Sequence, residues 1–163
     1  MRSPSSLRLD LADLERLLAR YPLPHASGIR VAREEDRLRL HVADLQLPTP
    51  LMPSFPATLD LKAGLVEGAR NVVAVHLRAD ELPLGLQVLA NAFLDKVVER
   101  ILPRGASAYV EVRSPSLLWV RLERIPDYGR PFADAVTLTD LRIPGGDGAA
   151  LEASFTVRGD RHQ

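Results

Sequence analysis

Cysteine is absent from the 163 residues, which excludes disulfides, thiol nucleophiles and thiolate metal sites. Lysine occurs only at positions 62 and 96, so arginine carries almost all the positive charge. Codon bias of the genome accounts for that choice, although arginine also favours bidentate and stacking contacts. Neither sign of charge is in surplus, with 21 basic against 21 acidic residues. Nucleic-acid binders draw affinity from phosphate neutralisation and usually carry a basic excess. A nucleic-acid partner is therefore not expected.

Long apolar runs are lacking too. The longest uncharged stretches are Leu45 to Leu59 and Leu82 to Leu94, and four prolines break the first. Both fall short of the roughly 20 residues that cross a bilayer as a helix, so no transmembrane segment is expected. Arg8 and Asp10 interrupt any apolar region near the start. No signal peptide is visible, which favours a soluble, cytoplasmic protein.

Catalytic signatures are missing in the same way. The four histidines, at 25, 41, 76 and 162, have neither i,i+4 nor His-x-Glu spacing. There is no Gly-x-Ser-x-Gly elbow. Gly145-Gly146-Asp147-Gly148 lacks the Lys-Ser/Thr of a phosphate loop and stands where a hairpin needs a turn. The acidic groups Glu34-Glu35-Asp36 and Asp80-Glu81 suit a turn and a helix start. No catalytic residue, metal ligand or cofactor is assigned.

What is present is a pattern that recurs. Hydrophobic residues make up 46% and charged residues 26%, ordinary for a globular chain. Leu17 to Val42 and Val97 to Leu122 each run from a helix end through proline and a small loop into two strands, offset by about 80 residues. Such repetition speaks to architecture. Leu11, Leu14, Leu17, Leu18 and Tyr21 have helical spacing, with Asp10 as N-cap and Pro22 and Pro24 as the stop. Alternation over 29–42 predicts a hairpin. Strands are expected at Leu59–Leu61 and Val73–Arg78, then over 108–113, 117–122, 136–143 and 151–157. Pro48, Pro50, Pro53 and Pro56 place their segment at a sheet edge or in a crossover. Asp127-Tyr-Gly-Arg-Pro reads as a loop.

The strongest single element is a helix over Leu84 to Leu102. Its broad apolar arc holds Leu86, Leu89, Phe93 and Val97, with Asn91, Asp95, Lys96 and Glu99 opposite. These features predict an α+β fold of two pseudo-duplicated αββββ units, about 7–79 and 84–158, in one domain. A curved antiparallel sheet would pack on this long apolar helix and on the shorter first one. Residues 1–6 and 159–163 are expected to be flexible ends.

Two surfaces stand out as candidate sites. Leu51, Met52 and Phe55, with Leu86, Leu89, Phe93 and Val97, could line an apolar cavity between the second helix and the sheet. Tyr109, Trp119 and Arg121 share a strand face whose composition is that of an interface.

Glu81-Leu-Pro-Leu-Gly-Leu, the helix to Leu102-Pro103 and the strand Leu117-Leu-Trp-Val-Arg-Leu resemble the tubular lipid-binding (TULIP-like) superfamily. That resemblance implies a long helix wrapped by a strongly curved sheet, with lipid between them. The duplicated strand-helix-sheet order also resembles a sliding-clamp module. Clamp helices that face DNA are basic, whereas this helix sets Lys96 and Arg100 against Asp95 and Glu99. The leading expectation is a non-enzymatic binding protein for a lipid or other apolar small molecule. The alternative is a clamp-like interaction or scaffold module, such as a homo-oligomer, joined through Tyr109, Trp119 and Arg121.

Overall fold

The computed structural model describes residues 5–46, 53–81, 102–114, 116–126, 129–145 and 148–158. The predicted second helix lies outside these residues except for Leu102, as do Leu51, Met52, Leu86, Leu89, Phe93 and Val97. So do residues 1–4 and 159–163.

Strand β1 (Ser5–Leu9) leads into helix α1 (Leu11–Arg20). Asp10 accepts from the Asp13 N–H at 2.7 Å, and Asp13 accepts from the Asp10 N–H at 3.2 Å. This reciprocal cap satisfies donors that the first helical turn leaves unpaired. Tyr21 closes the helix by donating to the Leu17 carbonyl, and the prolines that follow forbid continuation.

Four strands then form a meander: β2 (Ala26–Glu34), β3 (Arg37–Leu45), β4 (Phe55–Leu65) and β5 (Val72–Glu81). A hairpin of β6 (Val110–Ser114) and β7 (Leu117–Arg121) adds to β5 through β7. The resulting six-stranded sheet has the order β2-β3-β4-β5-β7-β6 and is antiparallel throughout. After a single turn at Leu122–Arg124 comes helix α2 (Gly129–Ala135), followed by β8 (Val136–Arg142) and β9 (Leu151–Val157). These last two strands join β1 in a separate three-stranded sheet, β1-β9-β8.

An α+β class with mainly antiparallel sheet is thus observed. The strands of the two predicted units, however, are distributed differently. The first keeps all four in one sheet, while the second gives two strands to each sheet. Local alternation defines a strand but not its partner, so the sequence pattern alone could not separate these outcomes.

Other expectations need adjustment. Ser5 and Ser6, assigned to a flexible end, pair with Phe155 and Ser154. The loop expected at 127–131 continues into α2. Pro131 is tolerated there because the first helical turn needs no internal N–H donors. Gly129 at the helix start has no room for a side chain, since a Cβ would collide with the carbonyls of Leu122 and Glu123. Pro56 lies within β4, a central strand. Among the described residues β5 pairs from Thr58 onward, and the β3 register shifts between Val42 and Leu45, opposite Pro56, which accommodates the missing donor.

The large sheet carries one apolar face. Val31 and Leu38 on it pack with Ile143 and Ala150, against which α1 lays Leu11, Leu14 and Leu18. Further along the same face, Leu77 and Leu118 pack with Leu61, Val75, Leu102, Val110 and Val112. Asn71 joins the two sheets. It is only 2% exposed, its carboxamide donates to the Val136 carbonyl at 3.0 Å and its oxygen accepts from the Leu138 N–H at 2.9 Å. Replacing it should therefore be costly. Asn71→Ala leaves two part-buried backbone groups of β8 without their side-chain partner and places alanine at φ 52, which asparagine tolerates better. A loss of about 2–4 kcal/mol in chemical denaturation is expected.

On the polar face of the small sheet, Glu152 is buried and bridges Arg8 at 2.6 Å and Arg142 at 2.7 Å, linking all three strands. Hydrogen bonds from Arg142, then Arg8, hold its carboxyl below the usual glutamate value. A depressed folded-state value means that its contribution is complete above the unfolded carboxyl pKa, about 4.3, and is lost as pH falls through the folded one. The fall in stability on acidification should be smaller in Glu152→Gln, as measured by denaturation midpoints across that range.

Candidate functional site

The register of the large sheet sorts its side chains strictly. Val73, Val75, Leu77, Val110, Val112, Leu118 and Val120 occupy the apolar face. Arg39, Asp60 and Arg78 lie in one row on the other face, with Lys62, His76 and Leu117 in the next.

A cavity of about 920 Å³ opens on the apolar side of β6. Leu102, Pro103, Ala106, Val110 and Val112 supply its apolar wall, and Arg104, Gly105 and Ser107 continue the lining. Pro24 and His25 border it from the segment entering β2. β2 and β6 are the opposite edges of the sheet. In a flat sheet of this order, five spacings of about 4.8 Å would put those edges about 24 Å apart.

The segment before β6 is held by local hydrogen bonds. Ala106 donates to Pro103, Ala108 to Gly105 and Tyr109 to Ala106, which makes a single 3₁₀ turn over Ala106–Ala108. Gly105 enters this turn at φ 81, where glycine avoids a Cβ penalty. Ala106 is buried at 2% exposure and anchors the turn, while Ser107 faces out. At the other border, His25 adopts φ 59 and its carbonyl accepts from the Gln46 N–H.

Of the residues expected to contact an apolar ligand, only Phe55 can be placed. It is buried with Val42, Leu45 and Ala57 in a core cluster between β3 and β4. The cavity wall at Val110 and Val112 showed in the sequence as plain alternation, which reads equally well as core. Pro24 and His25 carried no signal, because their contribution depends on how the sheet bends.

Of the expected aromatic–arginine surface, Trp119 and Arg121 lie together. Trp119 is half-buried on the polar face of β7, with the Arg113 guanidinium 4.1 Å and that of Arg121 5.9 Å from its ring centre. Glu111 opposite Trp119 accepts from Arg113 at 2.7 Å and Arg121 at 3.1 Å. The Arg113 and then the Arg121 hydrogen bonds lower its carboxyl pKa. Tyr109 precedes β6 and is half-buried; its carbonyl accepts from the Arg121 N–H.

A second, polar cleft of about 580 Å³ lies by Arg37, Asp60, Lys62, His76 and Arg78. Asp60 there is buried and ion-paired to Arg39 at 3.0 Å and Arg37 at 3.6 Å, while Lys62 reaches Asp36 at 3.3 Å. Among the described residues no group of three His, Asp or Glu side chains is placed to hold a metal ion.

Because its ring lies on the outer face and not in a core cluster, Trp119→Ala should keep the fold. It should cost about 1–2 kcal/mol from lost packing and cation–π contact, read by circular dichroism and urea denaturation. Comparison with known proteins finds no matching family model, no matching curated protein and no matching solved structure.

Proposed function

We propose that the protein binds an apolar ligand of lipid type, without catalysing its conversion, in the cavity on the apolar side of β6. The observation that carries this reading is the cavity's position. The cavity is lined by Val110 and Val112 of the edge strand β6 and by Leu102 packed beside them, and by Pro24 and His25, which lead into β2 at the opposite edge of the sheet. That placement favours a sheet rolled towards closure around apolar space, as the tubular lipid-binding resemblance implies. Its volume falls within the roughly 300–1,000 Å³ usual for small-molecule sites. The wall and rim differ in chemistry: aliphatic carbon from β6 and Leu102, but cationic or polar groups from Arg104, His25 and Ser107. An apolar chain with a polar or anionic head matches that division.

The long apolar helix expected over 84–102 completes the proposal, with Leu86, Leu89, Phe93 and Val97 contributing contacts from its apolar arc. Leu51 and Met52 belong to the same proposed ligand set. The scaffold reading is favoured by Trp119 and its two arginines on the opposite sheet face. The close Arg113 already occupies the ring, so the cavity is the better supported site.

Native mass spectrometry of the full chain titrated with a lysophospholipid tests the reading. One bound lipid per chain is expected. Ser107→Trp, at an exposed position of the lining, should weaken uptake about tenfold while leaving the circular dichroism spectrum unchanged. A clean unbound mass at every concentration would overturn the proposal.

A further inference from the structure

Helix α1 has a second apolar surface that the core does not use. Leu11, Leu14 and Leu18 pack inward, yet Leu17 is 44% and Tyr21 63% exposed. Four residues apart, these two are neighbours along one side of the helix end. Arg16 and Arg20 belong to the same turns, and the Arg20 guanidinium lies 5.8 Å from the Tyr21 ring centre. The nearby acids have partners: Asp13 accepts from the Asp10 N–H and pairs with Arg16 at 3.0 Å, while Glu15 accepts from the Val31 N–H, which leaves Arg20 beside the Leu17–Tyr21 pair.

This surface adjoins the cavity. The chain leaves Tyr21 through Pro22 and reaches Pro24 and His25 on the cavity border, where Arg104 also stands. An exposed aliphatic–aromatic pair among guanidiniums has the chemistry of an interfacial anchor. The apolar groups sink into the headgroup boundary, and the cations meet lipid phosphates. Two exposed apolar side chains are far less than the roughly 800 Å² per partner of a stable protein interface. Membrane anchoring works with such a small area because charge attraction adds to it.

We propose that the C-terminal end of α1 docks on an anionic lipid bilayer and presents the cavity opening to it, a purpose that rests on the lipid-binding reading above. The anchor is Leu17 and Tyr21, and Arg20 and Arg104 supply the preference for anionic headgroups.

Flotation of the full chain with phosphatidylcholine vesicles, with and without phosphatidylglycerol, tests this. Binding is expected to the anionic vesicles, decreasing with added salt. The double substitution Leu17→Ser, Tyr21→Ser should reduce it about tenfold. Arg20→Gln and Arg104→Gln should each reduce it about fivefold. All four positions lie outside the buried clusters, and circular dichroism is the check that the variants fold. Absence of vesicle binding, equal binding to neutral vesicles, or binding unchanged in the double variant would overturn the proposal. So would a dimer, seen by light scattering, that the double variant abolishes. Uptake of lysophospholipid from solution separates the two readings. The double variant should retain uptake while losing vesicle binding. Vesicle binding by a chain that takes up no lipid would remove the cavity reading and leave the anchor standing.

Discussion

Asn71 stands where three parts of the chain meet, and its hydrogen bonds account for much of their arrangement. Its side chain pairs with β8 at Val136 and Leu138 as another strand would, and its carbonyl accepts from Leu122 as the chain leaves β7. A left-handed φ turns the chain into β5 at the same residue. Buried polar groups of this kind must be satisfied, because an unmet backbone donor or acceptor costs more than a hydrogen bond contributes when made. The small sheet is therefore pinned to one register against the large one. The apolar packing of Ile143 and Ala150 on Val31 and Leu38 then supplies area without having to select position.

With that joint fixed, the apolar face of the large sheet is used in two ways. Its β2–β4 part is covered by α1 and the small sheet, while the part at β6 lines an opening. The edges are treated differently as well. Glu15 of α1 accepts from the Val31 N–H and so occupies a donor on β2, one of the means by which sheets blunt an edge. The other edge carries alternating Glu111 and Arg113, charges that discourage strand addition, and a register shift between Val112 and Ser114. The polar face is tied by local ion pairs around Asp60 and Glu111. The exposed pairs at Glu111 contribute little stability, but they fix the orientation of Arg113 over Trp119.

Several elements were legible because their causes are local. The α1 cap needs only Asp10 and Asp13, its end only Pro22 and Pro24, and the hairpins only period-two alternation. The aromatic–arginine cluster could be anticipated because Trp119 and Arg121 share a strand face and Glu111 lies on the adjacent strand. Helix α2 was hidden by Gly129 and Pro131, residues that usually mark loops. Here one answers a close backbone approach and the other fits a first helical turn. Leu17 and Tyr21 have the same spacing as the half-buried Leu11, Leu14 and Leu18, so period alone could not show that the core stops short of them.

The amino-acid sequence by itself determined where strands and α1 form, which faces are apolar, and which common catalytic motifs and all thiol chemistry are missing. These follow from side-chain alternation, capping and residue chemistry within a few positions. Only the tertiary structure decided that β8 and β9 leave the large sheet to join β1, that Asn71 binds the sheets together, and that Pro24 and His25 share a cavity with Val110 and Val112. Each of those depends on contacts between residues far apart in the chain. Hydrophobic alternation says that a face must be buried, but not against what.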